Sequence, residues 1–163
     1  METTAVATAT SSRALLAIFW GGFACGVLDI SQAFVASWYF RGARPGRVLQ
    51  SVASGLLGPK SFQGGIPTAA LGMFLHFLIA FTAATVFYIA SHELSFLIQR
   101  PVLWGLVYGE LVFVFMNYVI IPLSAIHRVP TLKGNPSLIL TGPIGHLFLV
   151  GLPIALAVRR FST

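Results

Sequence analysis

The sequence predicts an all-α, polytopic membrane protein whose four transmembrane helices form a bundle. Of its 163 residues, 56% are hydrophobic and only 9% are charged, and the mean hydropathy is +0.87. Soluble domains carry about 25% charged residues. The chain also contains four apolar runs, each long enough to cross a bilayer core of roughly 30 Å as a helix. Together these observations indicate one membrane domain, at residues 14–160.

The basic residues, which give the chain a net charge of +6, lie at the ends of the apolar runs and form no stripe. Such charges are typical of membrane flanks, so nucleic acid is not an expected partner. Cys25 is the only cysteine, which excludes an internal disulfide and a paired-cysteine metal motif.

The N-terminal segment 1–13 is rich in Thr, Ala and Ser and is predicted to be a flexible tail. The first span is predicted at 14–40. Gly22 and Gly26 lie near one face of this helix together with Asp29. Small residues in this arrangement let membrane helices approach each other closely, so the first span should pack through this face.

A longer connection follows, and residues 47–58 within it alternate with helical spacing between an apolar face and a polar face of Gln50, Ser51 and Ser54. This pattern predicts a short amphipathic helix in the headgroup layer. An amphipathic linker packed on the bundle is the alternative. Three basic residues of the connection would favour anionic headgroups: Arg41, Arg44 and Arg47.

The remaining spans are predicted at 68–90, 101–122 and 137–158. Each carries small residues suited to helix packing and polar side chains within an otherwise apolar run. The predicted packing glycines of these spans are Gly72, Gly105, Gly109 and Gly142. The polar side chains are His76, Glu110, Asn117 and His146.

The two halves of the chain resemble each other. Each half has a Gly-x3-Gly pair followed by an acid in its first span, and a Gly-x3-His in its second. Two tandem hairpins of this kind would be related by an axis along the membrane normal. A tandem repeat of two helical hairpins is one interpretation of this pattern. The alternative is that a short match arises because glycines are common in membrane helices.

Counting residues from the span ends places Asp29, His76, Glu110 and His146 at similar depths, about 12–18 Å from one surface. They are predicted to form one buried polar layer, with Asn117 one or two turns away. The layer could hold the helices in register, or carry protons or ions. No cofactor is expected from the leading interpretation. The alternatives are a b-type haem held by His76 and His146, or a divalent metal held by histidines and carboxylates.

No motif pairs a nucleophile with a base, so no catalytic residue is assigned and an enzyme is not predicted. The leading interpretation is a structural or accessory membrane subunit with a buried polar layer. The alternatives are a proton- or ion-coupled transporter of a small solute, and a haem- or metal-binding subunit. Four spans form a thin wall for a pore, so transport would need a homo-oligomer or a larger complex. A dry, paired layer favours the structural role, whereas a layer open to a polar cavity favours transport.

The sequence also resembles a known family. Gly145-His146-Leu147, followed by apolar residues and Arg159-Arg160, resembles the end of the YagU-type family of bacterial inner-membrane proteins. Segments 49–58 (LQSVASGLLG) and 116–122 (MNYVIIP) look like those of small four-span bacterial proteins of unassigned function. The first long loop departs from the YagU type in length and content. The resemblance implies a multi-pass protein of the bacterial inner membrane and brings no catalytic residue with it.

Overall fold

The structure, a computed structural model, describes residues 2–127 and 140–162. Its helices, in chain order, are α1 (Glu2–Arg41), α2 (Pro45–Leu57), α3 (Gly65–Glu93), α4 (Phe96–Gln99), α5 (Pro101–Leu123) and α6 (Gly142–Ser162). A 3₁₀ turn, Gly58–Gln63, joins α2 to α3.

Four helical segments are long and apolar enough to cross a membrane: Ser12–Arg41, Gly65–Glu93, Pro101–Leu123 and Gly142–Ser162. The predicted all-α, four-span architecture is therefore confirmed, and the chain is a multi-pass membrane protein. The predicted start of the fourth span, at residue 137, lies outside the described residues.

Helix α1 begins at Glu2, so the described part of the segment that was predicted to be a flexible tail, residues 2–13, has helical backbone. Alanine is the best helix former, which is consistent with helical backbone in this Ala-containing stretch. The flexibility of the segment stays a prediction.

Two glycines end the helices on either side of the first turn. Gly42 (φ 62°) donates its N–H to Trp38 O and closes α1, and Gly58 (φ 62°) donates to Ser54 O and closes α2. Both have a positive φ, which glycine adopts without a steric penalty. Pro45 opens α2 at a position whose N–H needs no helical partner. The turn between α1 and α2 is thus defined by local sequence.

The spans pack as a bundle in which α1 lies between α3 and α6, and α5 packs mainly against α6. The core between them consists largely of small and β-branched side chains around one large ring, Phe87. Its buried residues include Ala17, Cys25, Ala80, Ala84, Val150, Ile154 and Ala155. Small side chains let the helix backbones approach closely, so packing contacts can hold the bundle where lipid supplies no hydrophobic drive.

The glycines of α1 make room for aromatic rings of α3. A Cβ at Gly22 would contact the Phe81 ring, and a Cβ at Gly26 would lie 2.7 Å from the Phe77 ring. Phe77 and Phe81 lie 6.3 Å apart, centroid to centroid, along α3. The first hairpin is therefore held by rings seated on glycines.

The second hairpin is held by glycines that face backbone. A Cβ at Gly105 would lie 3.0 Å from Leu152 Cα, and one at Gly109 would meet the carbonyl oxygen of His146. From the other side, Gly151 faces backbone atoms of both Gly105 and Gly109. Helices α5 and α6 therefore approach each other so closely that these three positions have no room for a side chain.

The two other predicted packing glycines also lie at helix contacts. Gly72 on α3 faces the carbonyl of Leu49 on α2, and a Cβ at Gly142 on α6 would lie 2.7 Å from the Phe113 ring on α5. The glycines thus join α2 to α3 as well as the spans to one another.

Helix α2 packs against α3, and of the three residues on its predicted polar face only Ser51 is exposed. Gln50 and Ser54 are buried, while Leu56 is 62% exposed. The Gln50 amide donates to Gly65 O over 3.1 Å, which attaches α2 to the first turn of α3. A buried amide is tolerated because this carbonyl satisfies it. This arrangement corresponds to the linker packed on the bundle, and contact of α2 with headgroups stays a prediction.

Candidate functional site

A cavity with a volume of about 460 Å³, lined by both apolar and polar side chains, opens between α1, α2, α3 and α6. The charged and polar side chains that line it include Asp29, Gln32, Arg41, Arg47, His76 and His146. Asp29 and Arg41 are 12 positions apart on α1, which corresponds to about 18 Å at the helical rise. The cavity therefore runs from the arginine end of α1 toward the middle of its span.

His76, on α3, lies against the middle of α1. Its Nε2 is 2.8 Å from Gly26 O. A carbonyl oxygen can only accept, so Nε2 carries the proton and donates it. Gly26 permits this contact because it has no side chain between the two helices. The other ring nitrogen, Nδ1, has no hydrogen-bond partner among the described residues.

His146, on α6, is held from its own helix. Its Nδ1 donates to Gly142 O over 2.9 Å, and its ring contacts the Phe113 ring edge to face, with centroids 5.3 Å apart. Here Nε2 is the nitrogen without a partner in the described part of the chain. Each histidine is thus fixed through one nitrogen and can accept a proton or a ligand at the other.

The backbone around His146 is wound in wide, π-helical turns over His146–Gly151. Pro153 follows, and in a regular α-helix its ring would clash with the carbonyl of Leu149, four residues earlier and within that segment. A similar π-helical segment, Met116–Ile120, precedes Pro122 on α5. These two prolines therefore account for the π-helical segments that precede them, one of which carries His146; a third such segment, Leu140–Ile144, contains Pro143.

Asp29 is half-buried and lines the same cavity. Among the described residues it makes neither a hydrogen bond nor an ion pair. A carboxylate at this depth is costly unless it faces protein partners or a water-filled cavity. Since the cavity is what Asp29 faces, water or a bound solute is what can solvate it.

The predicted five-residue polar layer is only partly assembled. Asp29, His76 and His146 line the cavity, but Glu110 and Asn117 do not. The prediction from depth did not consider which side of the bundle each helix occupies. Helix α5 packs on α6 and away from α1, so similar depth does not bring Glu110 to the other three.

The two residues of α5 have separate environments. The Asn117 amide donates to Phe113 O, one turn earlier on its own helix, over 2.9 Å. Glu110 Oε2 is buried and has no hydrogen-bond partner within the described residues. Neither residue links the α5–α6 hairpin to the cavity.

The described residues contain no group of three or more His, Cys, Asp or Glu side chains placed to hold a metal ion. The alternative of a metal held by two histidines and two carboxylates is therefore not formed by these residues, because Glu110 lies outside the cavity. A haem held by His76 and His146 alone stays a prediction.

Some residues of the cavity were not in the predicted layer. Gln32, one turn beyond Asp29, packs its amide against Gly145 beside His146. The sequence feature that could have identified Gln32 is its position three residues after Asp29 within an otherwise apolar span. Arg41 and Arg47 were assigned to headgroups, and only the packing of α2 brings them to the mouth of the same cavity.

Comparison of the chain with protein-family models, with curated proteins and with solved structures found no match. The function must therefore be argued from the cavity.

Proposed function

We propose that this protein is a non-enzymatic carrier of a small solute, located in a bacterial inner membrane, that couples solute binding in the cavity to proton binding. The bacterial location rests on the resemblance to the YagU-type family. The transport role rests on one observation: Asp29, unpaired among the described residues, lines an open cavity together with two histidines.

The cavity argues against a purely structural role for these three side chains. Residues that fix helix register are paired across a dry interface. Here each histidine uses one nitrogen on a carbonyl, and the second nitrogen and the Asp29 carboxylate remain for the contents of the cavity. Ionisable groups that line a membrane cavity mark solute and proton pathways in general.

Proton coupling follows from the side chains present. Imidazole is the side chain whose charge ordinarily changes between pH 5 and 8. Protonation of His76 or His146 changes the charge of the cavity, and so changes the affinity for a charged solute. The reverse linkage is required by thermodynamics: a solute that prefers one protonation state shifts the equilibrium toward it.

The test is proton movement in proteoliposomes that contain the pH-sensitive dye pyranine. Gradients of acetate, phosphate, choline, alanine and glycerol are imposed in turn. We expect at least one of these solutes to drive a dye response that protein-free liposomes lack. Asp29→Asn and His76→Gln should reduce that response by about a hundredfold, the lower end of the contribution of a positioned proton-transfer group.

The matched control is His92→Gln. His92 lies on the same helix as His76 but is exposed at its end, outside the cavity. Its substitution should leave the response unchanged. A response absent for all five solutes, or one that His92→Gln reduces as much as His76→Gln, contradicts the proposal.

An accessory subunit is the second candidate, and α5 favours it. Only 11% of the hydrophobic window of this span is buried, against 22–33% for the other spans. A helix covered on so little of its surface has room for a second copy or another membrane protein as well as lipid. Crosslinking from Leu111→Cys, which is 60% exposed on α5, to a second copy in native membranes tests the homo-oligomer.

A further inference from the structure

Two guanidinium groups lie at the outer end of the cavity. Arg41 is the last residue of α1, and Arg47 lies in the first turns of α2. The turn closed by Gly42 brings these two helix ends together, so both arginines line the cavity although they are six positions apart on different helices. Arg44, between them, is exposed and does not line it.

Both guanidinium groups are held in position by neighbouring atoms. Arg41 Nη2 donates to Ser37 Oγ over 2.8 Å. Arg47 Nη1 donates to Phe62 O over 3.3 Å, and its Cζ lies 4.7 Å from the centroid of the Phe62 ring. Each group has five N–H donors, so most of them remain for a ligand. A side chain held in this way loses little freedom when it binds a ligand.

The described lining of the cavity carries a positive charge. Among the described residues it contains Arg41 and Arg47 against a single carboxylate, Asp29. Neither Glu93, exposed at the far end of α3, nor Glu110, on α5, lines it. With both histidines neutral the lining carries a formal charge of +1, and each protonated histidine adds one more.

We propose that the solute of this cavity carries an oxyanion, a carboxylate or a phosphate, and that Arg41 and Arg47 bind it. This inference rests on the proposed function and names its substrate class. The guanidinium fork matches two oxygens of a carboxylate or phosphate with parallel N–H donors. A cationic solute would have to face two arginines at the mouth before it reached Asp29.

Binding of the oxyanion and binding of protons to the cavity should favour each other. The charged and titratable groups around the cavity are Asp29 and Arg41 on α1, Arg47 on α2, His76 on α3 and His146 on α6; the 3₁₀ turn contributes the uncharged Phe62. An anion in the cavity favours the protonated histidines and the protonated Asp29, because each of these changes makes the lining more positive. Binding of a proton to the lining and binding of the oxyanion should therefore favour each other.

The experiment is calorimetric titration of the purified full chain in a neutral maltoside detergent. The probes are inorganic phosphate and acetate for a soluble solute, and dihexanoyl phosphatidylglycerol for a lipid headgroup. Choline and glycerol are the cationic and neutral controls. We expect oxyanion probes to bind and the controls not to bind. Preference for the lipid over inorganic phosphate would identify a headgroup as the source of the oxyanion.

The variants Arg41→Gln and Arg47→Gln should each weaken oxyanion binding roughly fivefold or more, the loss expected for a hydrogen bond to a charged group at an accessible site. Arg44→Gln is the matched control, since it removes the same charge from the same connection but outside the cavity. The oxyanion affinity of this variant should stay within about twofold of that of the parent chain. Phe62→Leu, which keeps both arginines, should weaken binding less than Arg47→Gln does. The monodisperse elution of each variant verifies that it is folded.

Three results would overturn the inference: binding of choline or glycerol as tight as that of the oxyanions, an equal loss of affinity in Arg44→Gln, or no binding of any oxyanion by the folded protein.

Failure of the proposed function can be distinguished from failure of this inference. If choline drives proton movement in liposomes while no oxyanion binds, the carrier stands and the substrate class is wrong. If oxyanions bind through the two arginines but no solute drives proton movement, the binding site stands and the carrier is wrong.

Discussion

At the scale of single residues, the question for Glu110 is how the fold tolerates the cost of burying its carboxylate. Its Oε2 atom is buried without a partner among the described residues, in the middle of the apolar span Pro101–Leu123. An ionised carboxylate at mid-bilayer costs about 2.5–3.5 kcal/mol on insertion scales. Asn117, by contrast, satisfies one donor on its own helix. Glu110 is therefore the polar side chain of α5 that the fold accommodates least well.

Replacing Glu110 with glutamine should leave the unfolding temperature of the detergent-solubilised protein unchanged or raise it. Glutamine keeps the shape of the side chain and removes the cost of a buried charge. Thermal unfolding followed by circular dichroism measures the difference. Glu93→Gln, exposed at the end of α3, is the control and should have no effect. A fall of several degrees in Glu110→Gln alone would mean that an ionised Glu110 is paired and stabilises the fold.

How far the sequence predicts the site can be judged from these same residues. Apolar run length placed the spans within a few residues, because the bilayer core requires a nearly fixed helix length. Residue counting also placed Asp29 and His76 at matching depth. It does not indicate whether Glu110 lines the same cavity, because depth along a helix carries no information about which neighbour the helix packs against. That depends on packing between distant segments.

At the scale of helices, the contact between α5 and α6 is formed by glycines that face backbone. Gly105 and Gly109 were predictable, since their i, i+4 spacing is typical of packing faces in membrane helices. Gly151 was not predicted, because it lies in an irregular π-helical segment where regular spacing does not apply. All three face backbone of the opposite helix. The contact between α5 and α6 thus depends in part on Gly151, which residue spacing in the sequence does not identify.

Gly151→Ala should lower the free energy of unfolding by about 1–3 kcal/mol, the usual cost of adding a methyl group to a closely packed contact. Its Cβ would meet Gly105 O and the backbone of Gly109, which cannot move without separating the helices. Gly46→Ala is the matched control. Gly46 lies in helix α2, and its Cβ would meet nothing within 4 Å, so this change should stabilise the protein by up to about 1 kcal/mol.

Denaturation with sodium dodecyl sulfate in mixed micelles, followed by circular dichroism, compares the two alanine variants with the parent chain. If Gly151→Ala is as stable as Gly46→Ala, the two helices are farther apart than their backbone contacts indicate.

Helix α2 illustrates the other limit of sequence patterns. Its amphipathic spacing correctly indicated a helix, but the polar residues Gln50 and Ser54 point inward rather than to solvent. The reason is a specific partner, Gly65 O, which the sequence pattern could not supply. The inward polar face matters for the cavity, because it positions the first turns of α2, with Arg47, beside the end of α1.

At the scale of the whole molecule, the four spans determine which connections share a side of the membrane. The connection between α1 and α3, which contains the arginines of the cavity mouth, and the connection between α3 and α5 are separated by one crossing of α3. The end of the cavity at Arg41 and Arg47 therefore lies toward one side of the membrane, and the α3–α5 turn with its exposed Ser95 lies on the other. This geometry is what a carrier must alter to release its solute across the membrane.

Single-cysteine labelling tests this arrangement directly. Cys25, the only native cysteine, is 3% exposed, so Cys25→Ala provides a background without a reactive thiol and at small packing cost. In that background, Gln63→Cys and Ser95→Cys place thiols in the two connections, at positions that are exposed in the structure. With a membrane-impermeant maleimide, right-side-out vesicles should label one position and inverted vesicles the other. Labelling of both positions from the same side would show that α3 does not cross the membrane, and the cavity could then not serve a path through it.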